Sequence, residues 1–142
     1  IEQVVNYAQE LGLKAVQLHG KENQEYIDQL RNKLPTQCQI WLAKGVTDTL
    51  PTLDESAVDC FLLDCQVGNQ SGGTGQTFSW RLLDEITDKT HIILAGGITP
   101  NNVKQAANQH VAMLDLNSGV ESAPGIKQQE KINQAFRALR EY

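Results

Sequence analysis

Five short apolar runs recur along the chain, and each is followed by a polar loop or a segment with helical spacing. They are "KAVQLHG" from Lys14, "QIWLAKGV" from Gln39, "CFLLDC" from Cys60, "HIILAGGI" from His91 and "AMLDLNSG" from Ala112. Continuous apolar runs of this length read as strands buried on both faces. Joined by helices they must be parallel, because a parallel pair needs a long crossover whereas an antiparallel pair closes with a hairpin. The repeat therefore predicts an α/β chain, a parallel sheet covered by helices.

The helical segments carry their own start and stop signals. Val4, Val5, Ala8 and Leu11 recur at helical spacing, and Gly12 sits where a left-handed cap would end that helix. Glu22 to Leu34 places Tyr26, Ile27, Leu30 and Leu34 on one face and stops at Pro35. Asp48 to Ser56 predicts a weaker helix, and "FSWRLLDEI" another. In "PNNVKQAANQ", Pro100 suits a first helical turn, while Ile132, Ala135, Phe136 and Leu139 predict a buried stripe on the last helix.

Two architectures satisfy this order, a barrel and an open doubly wound sheet, and in both the chemistry gathers at the carboxyl ends of the strands. Those ends read His19-Gly20, Lys44-Gly45, Asp64-Cys65, Gly96-Gly97 and Asp115 through Gly119. No GxGxxG follows the first strand and no GxxxxGK[ST] occurs, which favours the barrel. A chain of 142 residues is one domain by length. Its net charge of −5, without a Lys/Arg run, argues against a nucleic-acid partner, and no apolar span approaches membrane length. Cys38, Cys60 and Cys65 are odd in number and lack CxxC spacing, as reduced thiols in a cytoplasmic protein would be. The chain opens on Ile1 inside a helix without an initiator Met, so upstream residues are expected to be missing.

The paired glycines of "LAGGI", just ahead of a helix, let backbone N–H groups approach an anion; a tight turn is the plainer reading of the same pair. Asn117, Ser118 and Gly119 after the last strand add donors, and the last two strand ends of a barrel frequently form a phosphate site. Asp64 closes a run of Phe61, Leu62 and Leu63, so desolvation at the rim of the core would raise its pKa and make it a proton donor; as a bare motif it serves equally well as a cap for loop N–H groups. Asp115 occupies the same position on the last strand. His19 reads first as a residue that orients its loop. "NQSGGTGQTF" is long and glycine-rich for such a connection and could close over a ligand, or could simply be a surface loop. Cys65 alternates with Asp64 and should point to the opposite face, as packing.

Taken in order, "VQLHG", "LLD" with "GGTG" and "F-x-W", "LAGGI-x-P-x-N" and "LDLNSGVE" with "PGIK" resemble the second part of phosphoribosylanthranilate isomerase, a tryptophan-pathway (βα)8 barrel. The resemblance runs essentially end to end and is most like the isomerase domain fused to indole-3-glycerol-phosphate synthase. It implies that residues 1–142 are a partial isomerase domain, the C-terminal five βα units, strands four to eight, of a TIM barrel. The implied reaction is the Amadori rearrangement of N-(5′-phosphoribosyl)anthranilate to 1-(o-carboxyphenylamino)-1-deoxyribulose 5-phosphate, with no cofactor and no metal. By the same resemblance Asp64 is the general acid, Gly96, Gly97, Ser118 and Gly119 hold the phosphate, and His19 and Asp115 line the anthranilate side. The family's base, a cysteine ending the first strand, and an arginine after the second are absent from this chain. The chain by itself is therefore expected to be inactive, its partners being the N-terminal barrel half, a fused synthase domain and a phosphosugar substrate. Lys44 is displaced by two positions from the family's strand lysine and is assigned no role. The competing readings are a non-catalytic phosphosugar-binding module and a metal-dependent epimerase; of the latter's histidines, His91 and His110 fall at strand starts.

Overall fold

The structure is a computed structural model describing residues 1–67, 70–71 and 79–140. Contacts divide the chain into two compact units, Ile1–Lys44 with Thr52–Leu62, and Gly45–Pro51 with Leu63–Tyr142.

In the first unit, α1 (Glu2–Glu10) ends as its spacing predicts: Leu11 caps it and Gly12 turns with φ of 61°, which glycine adopts without steric cost. β1 (Ala15–Leu18) leads to α2 (Gln24–Lys33), whose Asn23 side chain accepts the Tyr26 N–H at 3.0 Å and starts the helix, while the chain turns extended at Leu34 before Pro35. β2 (Gln39–Val46) pairs parallel with β1, Ala15 opposite Gln39 through Leu18 opposite Leu42. The two strands bury Val16, Leu18, Ile40 and Leu42, and α2 buries Ile27 and Leu30, but Gln17 is exposed. They thus bury one face in alternation rather than both.

The helix expected over Asp48 to Ser56 does not form. Pro51 removes a donor from its middle, and Gln24 of α2 takes the Ser56 backbone and hydroxyl into side-chain hydrogen bonds of 2.8 to 3.1 Å. Arg31 then closes this end of the unit, donating to the carbonyls of Cys38 and Ala57 at 2.9 Å each and pairing with Asp59.

β3 (Cys60–Val67) runs past the apolar stretch and pairs antiparallel with a short β4 (Gln70–Ser71). "FSWRLLDEI" yields only a 3₁₀ turn over Trp80–Glu85: Ser79 makes no side-chain cap, the Leu82 N–H donates to the Ser79 carbonyl at 3.0 Å and the Ile86 N–H to the Leu83 carbonyl at 3.1 Å, the tighter i→i−3 pattern, before the chain turns extended at Ile86. β5 (Ile92–Leu94) and β6 (Met113–Leu114) pair parallel, and the sheet order is β1-β2-β3-β5-β6. α3 (Val103–Ala107) begins at Asn102, so Pro100 lies in the preceding turn and not in the first helical turn. A 3₁₀ turn over Ser118–Val120 and a hairpin of β7 (Glu121–Ala123) and β8 (Ile126–Lys127) precede α4 (Gln129–Arg140), which packs on α3. Ala135 of its predicted stripe is buried, whereas Phe136 is 57% exposed. The core of this unit is Leu63, Leu83, Ile92, Leu94, Ile98, Val103 and Ala106.

Candidate functional site

Three strands meet in the second unit. The Leu63 carbonyl accepts the Ala95 N–H at 2.9 Å, and the Leu94 carbonyl accepts the Asp115 N–H at 2.8 Å. These bonds set β3, β5 and β6 side by side, so Asp64, Gly96 and Asp115 come to one small cleft; Asp64 lies within β3, which runs on to Val67 and does not end at Asp64-Cys65 as its apolar run predicts, whereas Gly96 and Asp115 lie beyond their strands.

Gly96 and Gly97 turn away from β5 with φ of 80° and 66°, the left-handed region where a side chain is strained. Asn102 then clamps the turn: its Oδ1 accepts the Thr99 N–H at 2.7 Å and its Nδ2 donates to the Gly97 carbonyl at 3.0 Å. Gly119 lies so close to the Ile98 carbonyl that a Cβ there would stand 1.8 Å from the oxygen. The loop after β6 can therefore nest against the loop after β5 only with glycine at this position.

The resulting cleft is lined by Asp64, Gly96, Gly97, Asp115, Asn117, Ser118 and Gly119, among others, and encloses about 40 Å³. One water needs roughly 10–15 Å³ by this measure, so the cleft has the size of a small polyatomic ion and not of a whole substrate. Asp64 is partly buried, with Oδ1 shut off from solvent.

Of the seven site residues that the resemblance implies, six thus come together, Asp64, Gly96, Gly97, Asp115, Ser118 and Gly119, and Asn117, read as an added donor, joins them. His19 follows β1 in the other unit, exposed. The glycine-rich loop and the Cys65 side chain lie outside the described residues, except for the backbone of Gln70–Ser71. Lys44 is ion-paired with Glu55, in keeping with its having no assigned role. Sequence reasoning passed over Lys127 and Glu121, which flank the cleft's last loop; the turn-forming "SAPGIK" was the available signal. Among the described residues no group of His, Cys, Asp and Glu could hold a metal ion, and no helix is long and apolar enough to cross a membrane.

Residues 1–138 match the family described as PRAI, N-(5′-phosphoribosyl)anthranilate (PRA) isomerase. The tryptophan biosynthesis protein TrpCF of Vibrio parahaemolyticus serotype O3:K6 is 52% identical over 142 residues, and that of Vibrio cholerae serotype O1 is 51% identical over 140. Those stretches are 100% and 99% of this chain but 29% of each relative, so the chain spans under a third of the length of the curated relatives it matches. Among solved structures, the phosphoribosyl anthranilate isomerase from Thermus thermophilus superposes with a TM-score of 0.79 at 29% identity, covering 99% of this chain and 67% of that one. The chain belongs to the phosphoribosylanthranilate isomerase family, and its parallel strands and helices are part of a (βα)8-type fold.

Proposed function

We propose that this chain supplies the general acid and the phosphate cradle of a phosphoribosylanthranilate isomerase, acting within the intact protein on N-(5′-phosphoribosyl)anthranilate. The observation that carries the reading is that Asp64 lines the same cleft as Gly96, Gly97, Ser118 and Gly119. The cleft's size fits a phosphate, and two carboxylates in it repel an anion. The phosphate therefore belongs against the backbone donors of the two glycine turns, with the acids toward the rest of the substrate.

The rearrangement needs a proton on the furanose oxygen as its bond to C1′ breaks, which leaves a Schiff base. Asp64, which closes the apolar run of β3, gives that proton. A base then removes the proton from C2′, and the enolamine formed collapses to the ketone. By family resemblance that base is a cysteine of a part of the barrel this chain does not contain, so the chain alone does not turn substrate over. Resemblance likewise assigns His19 and Asp115 to the anthranilate side. The relatives are more than three times as long as the matched region, which leaves room for a fused indole-3-glycerol-phosphate synthase domain.

Asp64→Asn in the intact protein should lower kcat by about 10²- to 10⁴-fold, the usual worth of general acid catalysis, with KM little changed. A non-catalytic phosphosugar-binding module needs no acid in its cleft. A variant within about threefold of the parent kcat, below that range, removes Asp64 from the chemistry and favours the module.

A further inference from the structure

The cleft has a support on its outer side. Lys127 of β8 donates to the Asn117 carbonyl oxygen at 3.1 Å, to Asn117 Oδ1, and to Glu121 Oε1 at 2.6 Å. A lysine ammonium has three protons and no acceptor, so these three partners use its full capacity. Glu121 is held in turn. Its Oε2 accepts the Gly125 N–H at 3.1 Å, its carbonyl accepts from Lys131 Nζ at 2.6 Å, and its side chain is 13% exposed. The hairpin is pinned to the 3₁₀ turn by the Gln128 N–H, which donates to the Val120 carbonyl at 2.8 Å. The hydrogen bond from Lys127, followed by that from the Gly125 N–H, holds the Glu121 carboxyl below its ordinary pKa, so it is a carboxylate at neutral pH.

The arrangement decides which way the Asn117 amide faces. Lys127 can bond only an oxygen, so it takes Oδ1 and leaves the NH₂ as the free half of the amide. Among the described residues that NH₂ makes no hydrogen bond, and Asn117 lines the cleft. An amide turned the other way would present an oxygen, which repels an anion.

We infer that Asn117 is a side-chain donor to the substrate phosphate and that Lys127, braced by Glu121, is the positioning residue that turns its NH₂ toward the anion. The inference rests on the phosphate cradle proposed above and extends it by a side-chain contact and the device that orients it. Lys127 acts through Asn117: its protons are spent on oxygens of the protein, and its charge polarises the amide and strengthens the NH₂ as a donor.

The test is a double-mutant cycle in the intact protein, read as KM for the isomerase substrate and as Ki for inorganic phosphate, which probes the cradle alone. Asn117→Ala should raise both by about tenfold or more, the worth of one hydrogen bond to a charged group. Lys127→Met should raise both with the effect in KM and Ki rather than in kcat, and Lys127→Arg should restore most of the loss. The double variant should be no worse than Asn117→Ala within about twofold, since a residue acting through another adds nothing once that other is gone. Losses that multiply, or an unchanged Ki in Lys127→Met, overturn the inference. Should Lys127→Met fold poorly, Glu121→Gln, which removes the brace, must raise Ki in its place, and an unchanged Ki there also overturns it. Gly97→Val separates the two levels. If it raises Ki while the Asn117 and Lys127 variants do not, the cradle stands and the positioning falls. If inorganic phosphate does not compete in the parent, the cradle itself falls and the inference with it.

Discussion

The two units spend their polar groups differently. In the first, cations close the structure: Arg31 binds two carbonyls and Asp59, Lys33 pairs with Glu2, and Lys44 pairs with Glu55. In the second, Lys127 and Asn102 hold loops so that glycine backbones and two carboxylates line a cleft. Their glycines differ in the same way. A Cβ at Gly12 would meet nothing within 4 Å, so only its positive φ restricts it, whereas a Cβ at Gly119 would collide with a backbone carbonyl. The same βα construction thus serves cohesion in one place and a site in the other. What decides is whether the residues after a strand are committed to ion pairs or to loops that expose the backbone.

The largest effect that contrast predicts is at Gly119. Gly119→Ala must separate the loops after β5 and β6, because the obstacle is backbone and cannot swing aside. Inorganic phosphate should then cease to compete with substrate, and stability should fall by about 3 kcal/mol or more, in the range of severe overpacking. Thermal unfolding and phosphate inhibition measure the two. A variant that binds phosphate as the parent does would show that the close approach does not shape the site.

Arg31→Met should cost less and be read differently. It leaves the Cys38 and Ala57 carbonyls without their donor, for a loss of about 1–3 kcal/mol in stability, while KM stays unchanged at temperatures where the protein is folded. If KM moves as much as stability does, the division between cohesion and site is wrong.

The smallest effect is on pH. Glu121 has a folded-state pKa below its ordinary 4.5, owing first to Lys127 and then to the Gly125 N–H. A depressed carboxylate contributes stability that is present above its unfolded pKa and is lost as pH falls through the folded one. Below about pH 4.5, Ki for phosphate should rise in the parent, and in Glu121→Gln that acid component should be missing. An equal acid response in both would take Glu121 out of the support.

Much of the architecture was readable in the sequence because its causes are local. Burial of short apolar runs marked all five parallel strands, β2 to the residue, and Gly12 and Pro35 marked where their helices stop, since a left-handed turn and a missing N–H act on near neighbours. Asp115 was readable as a strand-end residue for the same reason, since the last apolar position tells where the next side chain will stand, whereas β3 continues past Asp64 to Val67. Helix length was not readable, because it depends on competitors distant in sequence, as when Gln24 claims Ser56. Nor could the sequence show that Gly119 touches Ile98 across the cleft, or that the oxygen of Asn117 is taken by Lys127 ten residues on. Residue types set which groups can donate, accept or approach closely. Only the packing of one loop on another decided which donors are already used and which remain to meet a ligand.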